Sequence, residues 1–229
     1  MSKTKSAYQR IILKISGESF ASEENLKPVC RQITDAHKLG VEIGVVVGGG
    51  NLIRGKLVTD IERNIADRTG LIATIINGLL LENALMKWSK LKHLSCLPIS
   101  GIVEGYSREK ALEYLKSNHI LILSGGTGSP YFTTDTAAAL RAAELGADSV
   151  IKGTKVDGIY SDDPKKNPGA IKYEKISYHQ VLKQNLQVMD RTAFAFCQEN
   201  RIPIIILDIF QVNNLKKLLA GKKIGSIVC

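Results

Sequence analysis

The chain has 229 residues, enough for one sizeable domain or two small ones, and its 44% hydrophobic and 23% charged residues are those of an ordinary soluble globular protein. No low-complexity tract or internal repeat is present, which leaves out collagen-like, solenoid and disordered classes. The net charge of +9 is spread in pairs such as "DPKKNPG" and "NLKKLLAGKK", with one Trp and 5 Phe for base stacking; small anions or a solvated surface account for it better than nucleic acid does.

The N-terminal "MSKTKSAYQRIILKISG" is basic, but Lys14 interrupts a short apolar stretch, so it reads as a first strand (10–15) rather than a signal peptide. A polar loop and a helix over 29–40, ending at Gly40, come next. Residues 41–47 form a second strand that runs into Gly48, Gly49 and Gly50. Helical spacing covers 66–90, with Gly70 and Gly78 as possible breaks. A strand at 91–99, a helix at 107–118 and a strand at 119–126 follow. Then come a helix at 135–146, capped near Thr134 or Asp135, and a strand at 147–153. Residues 191–201 (helix), 202–208 (strand), 212–221 (helix) and 225–229 (a candidate last strand) complete the chain. Strand–helix alternation with short connections predicts an α/β fold, a three-layer αβα sandwich with a mostly parallel sheet and helices on both faces. No Pro/Ser-rich linker divides it, so residues 1–229 are read as one domain.

The longest apolar runs, such as "IPIIILDIF", fall short of the ~18 residues of a membrane span, so a soluble protein is expected. Cys30, Cys96, Cys197 and Cys229 are scattered with no CxxC or metal spacing, which fits isolated thiols in a reducing compartment. The four histidines lie in unrelated contexts and read as surface or satisfied core residues.

Both glycine-rich loops end buried strands, at the sheet edge where ligands bind in such folds. The first, "EIGVVVGGGNLIRG", sets a bare backbone beside Arg54, which points to a phosphate. It is neither a Walker A loop nor a GxGxxG dinucleotide loop, and Asp67, about 20 residues on, falls in a helix instead of ending a second strand. The second, "SGGTGSPYFTTDTAAAL", gathers glycines, threonine hydroxyls and Asp135 at a helix start, a good setting for oxyanions and sugar hydroxyls. A plain Ser-Pro/Gly turn explains only part of it.

Six stretches carry a resemblance: "ILKISGES", "VVVGGGNLIRG", "ADRTGLIATIINGL", "ILSGGTGSPYFTTDTAAALRAAEL", "KGTKVDGIYSDDPKKNP" and "VMDRTAF". In this order, over nearly the whole chain, they resemble the bacterial uridylate (UMP) kinases of the amino-acid-kinase superfamily. The resemblance implies transfer of the γ-phosphoryl group of ATP to UMP, giving UDP and ADP, in pyrimidine nucleotide biosynthesis. It implies Lys14 as the principal catalytic cation, Ile15, Ser16 and Gly17 along the ATP phosphates, and Gly50 and Arg54 on the ATP side. Gly49 and Asp67 would contact UMP, and Thr127, Gly128, Ser129, Pro130, Tyr131, Phe132, Thr133 and Thr134 would cradle it. Asp135 would orient the catalytic lysine or the metal, although a plain helix cap is an alternative. Thr154, Tyr160 and Asp163 would hold the ATP base and ribose. Lys152 would be a second charge stabiliser and Asp190 a catalytic acid, with capping as the alternative for Asp190.

The resemblance also implies Mg²⁺ carried mainly by nucleotide phosphates with no dedicated protein metal site, UTP as feedback inhibitor, a cytoplasmic homohexamer (a trimer of dimers), and an N-terminal UMP lobe and C-terminal ATP lobe meeting near residue 150. Two departures stand out. "KLVTDIERNIAD" is shorter than in many relatives, and Glu82 and Asn83 stand where GTP-activated relatives carry Arg-Asp, which argues against GTP activation. A kinase for an amino acid or carbamate, and a non-catalytic nucleotide-sensing module, are the competing readings; "TGSPYFTTD" and Asp67 oppose the first, Lys14 and Asp135 the second.

Overall fold

The computed structural model describes residues 6–53, 61–164 and 166–229. In chain order they form β1 (Arg10–Ile15), a 3-10 turn (Gly17–Phe20), α1 (Glu23–His37), β2 (Glu42–Val47), α2 (Arg63–Leu85), β3 (Leu91–Ser95), β4 (Glu104–Gly105) and α3 (Arg108–Lys116). Then come β5 (Ile120–Ser124), α4 (Thr134–Leu145), β6 (Ser149–Thr154), β7 (Ile159–Tyr160), β8 (Lys172–Tyr173) and β9 (Lys175–Ile176). The last elements are α5 (Tyr178–Lys183), α6 (Arg191–Glu199), β10 (Ile204–Asp208), α7 (Asn214–Leu219) and β11 (Ser226–Val228).

Nine strands make one sheet in the order β4-β3-β5-β2-β1-β6-β10-β11-β9, and β7 and β8 pair separately. Every pairing in the large sheet is parallel except β10 with β11. β1 is flanked by β2 on one side and β6 on the other, so the chain leaves it in both directions. That reversal of strand order opens a crevice beyond the carboxyl ends of β1 and β6. The strand period of two sends Ile11, Leu13 and Ile15 into one apolar layer with Leu81 of α2 and Leu218 of α7. Ile12 goes to the other layer, with the alanines of α4 and Phe194 of α6. Because Ala137, Ala138, Ala139 and Ala142 are all buried, α4 lies close against the sheet, with its first turn at the crevice.

Several elements differ in extent from the sequence reading, among them α2, which spans Arg63–Leu85 rather than 66–90. α1 begins at Glu23, capped by Ser22, and carries Pro28 inside it, because one missing backbone bond near an exposed helix start is tolerable. α2 is unbroken: Gly70 faces open space, and Gly78 admits the ring of His93, which a Cβ there would meet at 2.4 Å. The third strand stops at Ser95, whose hydroxyl bonds Leu97 N and O to turn the chain. The short elements β4, β7, β8, β9 and α5 have too few residues to show a period and were not read from the sequence.

Candidate active site

Parallel pairing sets Lys14 of β1 directly beside Lys152 of β6. Both side chains reach the face covered by α4, where Asp135 stands in the first turn. Lys14 Nζ lies 2.8 Å from Asp135 Oδ1, and Lys152 Nζ donates to Oδ2 at 2.8 Å. Lys152 also donates to the carbonyl of Val188 at 2.8 Å. Burial pushes the Asp135 carboxyl up, and the neighbouring ammonium groups of Lys14 and Lys152 more than reverse this, leaving it below the usual carboxylate range. Two cations on one carboxylate leave one surplus positive charge at a nearly dry crevice, suited to an anion. Asp135 is not the helix cap, because that place belongs to Thr133, whose hydroxyl accepts from Asp135 N at 3.0 Å and Thr136 N at 3.3 Å.

The triple glycine lies at the carboxyl end of β2, and each position has its own constraint. A Cβ on Gly48 would come within 3.0 Å of Gly17 N, and one on Gly49 within 2.9 Å of Ala73 Cβ and Gly70 O of α2. A Cβ on Gly17 would come within 2.6 Å of Gly50 N. A Cβ on Gly50 would meet none of the described atoms within 4 Å. Gly48 and Gly49 are therefore glycine so that loop and helix can pack, whereas among the described residues only at Gly50 of the three would a Cβ have room. Ile15 and Ser16 lead into this junction, with Ile15 O accepting from Gly48 N at 2.9 Å. Arg54 lies outside the described residues.

The loop after β5 winds through Gly125, Gly126 and Gly128 with φ of +73°, +56° and +84°, the left-handed region that side chains disfavour. Thr127 and Ser129 form a local hydroxyl turn, Pro130 is half-buried, and Tyr131 and Phe132 are exposed. Tyr131 also has a positive φ, +70°, and its N–H donates to Asp67 Oδ2 at 2.9 Å. Arg63 lies 3.7 Å from Asp67 Oδ2, and its guanidinium also stacks on the Tyr131 ring. Asp190 caps α6 through Ala193 N at 3.0 Å and accepts from Thr133 Oγ1 at 2.5 Å and Thr136 Oγ1 at 3.2 Å. It braces the start of α4 as well as capping a helix. Thr134 opens α4 at half exposure.

Thr154 ends β6, and its carbonyl accepts from Ile209 N at 3.1 Å. Lys155, next along, lies 3.6 Å from Glu18 in the turn after β1, so the loops after β1 and β6 are neighbours. Tyr160 donates to Asp157 Oδ1 at 2.8 Å, and Asp163 lies on the exposed loop that follows, its carbonyl accepting from Lys166 N and Asn167 N. These residues are outside the Lys14–Asp135–Lys152 cluster, on the β6 side of the crevice. Glu82 lies 3.4 Å from His93 Nδ1, while His93 Nε2 meets Ser124 Oγ at 2.8 Å. Burial lowers the pKa of His93, against the opposing pull of Glu82.

The sequence reading missed Asn51, Thr74 and Asn77. Asn77 donates to Gly48 O at 2.6 Å and Asn51 Oδ1 at 2.7 Å, and Thr74 accepts from Gly125 N at 2.8 Å. The signal for Thr74 and Asn77 was present as two polar residues inside the apolar run "LIATIINGLLL".

A parallel sheet with glycine loops at its carboxyl edge and two lysines sharing one buried carboxylate defines an α/β phosphate-handling enzyme. The chain belongs to the amino acid kinase family, whose sequence pattern matches residues 9–208. It is 45% identical to a protein named uridylate kinase from Bacteroides thetaiotaomicron, over 96% of this chain and 98% of that one. It is 42% identical to one of the same name from Legionella pneumophila, over 99% and 96%. Among solved structures it resembles UMP kinase from Bacillus anthracis, with a TM-score of 0.94 at 31% identity over 96% of both chains. It also resembles UMP kinase from Ureaplasma parvum, with a TM-score of 0.90 at 39% identity over 96% and 98%.

Proposed function

We propose that this protein is a UMP kinase, carrying the γ-phosphoryl group of ATP to UMP and releasing UDP and ADP. The observation that carries the reading is the Lys14–Asp135–Lys152 cluster between two glycine loops, in a chain similar over nearly its full length to uridylate kinases. A phosphate oxygen of UMP attacks the γ-phosphorus, and the bond to the bridging oxygen of ADP breaks in line. Such transfer needs positioning and positive charge rather than a covalent intermediate. Lys14 offsets charge on the transferring oxygens, Lys152 stands beside it as the second cation, and Asp135 holds both in place. Arg54 is the further cation assigned to the donor side.

On this reading Ile15, Ser16, Gly17, Gly50, Thr154, Tyr160 and Asp163 hold ATP. Gly49, through its backbone amide, Asp67 and the loop from Thr127 to Thr134 hold UMP. The Thr133 hydroxyl is already bonded to α4 and Asp190, so its part is to shape the loop. Asp190 acts through Thr133 and Thr136 as a positioning residue. The lobes meet near residue 150, UMP on the N-terminal side and ATP on the other.

Asp135, the carboxylate at the centre of the cluster, is shared by two lysines. These residues fit a Mg²⁺ carried mainly by nucleotide phosphates. When bound, that ion supplies further neutralisation of phosphate charge.

The same proposal includes a place in UTP and CTP synthesis, feedback inhibition by UTP, a cytoplasmic location and a homohexamer built as a trimer of dimers. Exposed Ile65, Ile72, Ile76 and Leu80 along α2 support subunit packing, and no helix among the described residues is long and apolar enough to cross a membrane. Light scattering should give six times the chain mass. ADP release should be measured with ATP, Mg²⁺ and each of UMP, CMP, acetylglutamate, glutamate, aspartate and carbamate. Turnover of UMP, unchanged by GTP and suppressed by UTP, is the expected result. Turnover of an amino acid or carbamate instead would reassign the substrate, and nucleotide binding without turnover would make the protein a sensor.

A further inference from the structure

Positions 67, 70, 74 and 77 of α2 are spaced by three, four and three residues, which places them on one stripe of the helix. Each meets one of the two loops at the crevice. Asp67 accepts from Tyr131 N at 2.9 Å, and the Gly70 carbonyl marks the close approach of Gly49. Thr74, 2% exposed, accepts from Gly125 N at 2.8 Å and donates to Leu71 O at 2.6 Å. Asn77 is 0% exposed; it donates to Gly48 O at 2.6 Å and exchanges two amide bonds with Asn51, at 2.7 Å and 3.3 Å.

A buried amide or hydroxyl inside an apolar helix costs stability unless it is bonded, and both side chains find their long-range partners in the loops. Gly125 needs this constraint because its backbone is left-handed and, as a glycine, intrinsically free. The three glycines have no side chains to fix them, so Asn77 fixes the loop from the helix, through Gly48 O and through Asn51.

We propose that α2 is the spacer that sets the two loops at reacting distance, with Thr74 as the positioning residue for the loop after β5 and Asn77 for the loop after β2. The proposal rests on the UMP kinase reading for its substrates and on nothing else in that reading. Both side chains are buried among backbone groups, so they position without touching the nucleotides. A helix with both loops bonded to one stripe fixes their separation by its own rise of about 1.5 Å per residue, so loop spacing follows from backbone rigidity. A loop released on one side moves relative to the other, and an error of about 1 Å at a reacting centre costs on the order of 10²-fold in rate.

The test compares Thr74→Val, which keeps the shape and loses the hydroxyl, with Thr74→Ser, which keeps the hydroxyl. Asn77→Asp keeps the shape and loses the donors, and Asn51→Ala removes the exchanged amide from the loop side should N77D fail to fold. With rates normalised to folded protein, Thr74→Val should raise KM for UMP about tenfold and leave KM for ATP within about twofold, and Thr74→Ser should restore both. Asn77→Asp, or Asn51→Ala in its place, should lower kcat about 10-fold to 100-fold with less change in KM for UMP. A purely structural role would lower the folded fraction and leave both KM values alone; that outcome would overturn the proposal.

Amide exchange gives a second readout, independent of activity. Thr74→Val should speed exchange at Gly125 about tenfold or more without affecting Leu52 and Ile53, and the Asn77 variant should do the reverse. Should the wild type fail to phosphorylate UMP, the proposed function falls. The exchange pattern still decides whether α2 holds each loop separately.

Discussion

In the loop after β2, none of Gly48, Gly49 and Gly50 has a positive φ, whereas in the loop after β5 Gly125, Gly126 and Gly128 all do. The first loop uses glycine for space: Gly48 and Gly49 are hemmed in by Gly17 and by α2, and Gly50 opens toward the crevice. The second loop uses glycine for conformation, because the chain must turn through left-handed backbone between Ser124 and α4. Both loops are glycine-rich and lie at the same sheet edge, yet they have different physical needs. Composition alone therefore does not say why a glycine is present; the close-contact atoms and the sign of φ do.

Substitutions separate the two needs. The largest effect is expected where both loops converge: Lys14→Ala should lower kcat about 10²-fold to 10³-fold while the fold survives, since Asp135 keeps Lys152. ADP-release kinetics beside a circular dichroism spectrum check this. Gly125→Ala meets both penalties, a left-handed backbone and a Cβ 2.6 Å from Ser95 Oγ. It should cost about 2–4 kcal/mol in denaturant unfolding. Gly49→Ala meets only the packing penalty against Ala73 and Gly70 and should cost about 1–3 kcal/mol. Gly50→Ala should change stability by less than about 0.5 kcal/mol yet raise KM for ATP, because its Cβ would occupy open space at the crevice. Equal destabilisation by all three alanines would erase the distinction between the loops.

The smallest effect expected is a pH dependence at the shared centre. Asp135 has a carboxyl pKa held below its ordinary value by the two lysines. A depressed folded pKa contributes stability that is complete above the unfolded pKa of about 4 and is lost as pH falls through the folded pKa. The unfolding midpoints of wild type and Asp135→Asn should therefore differ at neutral pH and converge below about pH 4. A constant difference across that range would show that Asp135 gains nothing from its charge.

Much of the site was legible in the sequence because it is made of local signals. Lys14 in an apolar strand, Gly48–Gly50 and the hydroxyl-rich run to Asp135 announce themselves through composition within a dozen residues. Asp67 stands out too, but its contacts, with Arg63 one turn back and with the Tyr131 amide in the other loop, join residues that are not neighbours in the chain. Thr74 and Asn77 carry no readable chemistry because a lone polar residue in an apolar helix is silent until its partner is known, and Asn51, in the loop after β2, gains meaning only as the partner of Asn77. Their partners are 26 and 51 residues away for the Asn51–Asn77 and Thr74–Gly125 bonds.

The sequence by itself determined the alternation of strands and helices, the parallel character of the main sheet and the places where its backbone is bare. Those follow from hydrophobic period and from glycine, which act over one element at a time. Only the tertiary structure decided that Lys14 sits beside Lys152, that one carboxylate holds both, that β11 runs antiparallel to β10, and that α2 grips both loops along one stripe. Strand register and helix placement are set by packing between residues far apart in the chain, and no local window contains both partners.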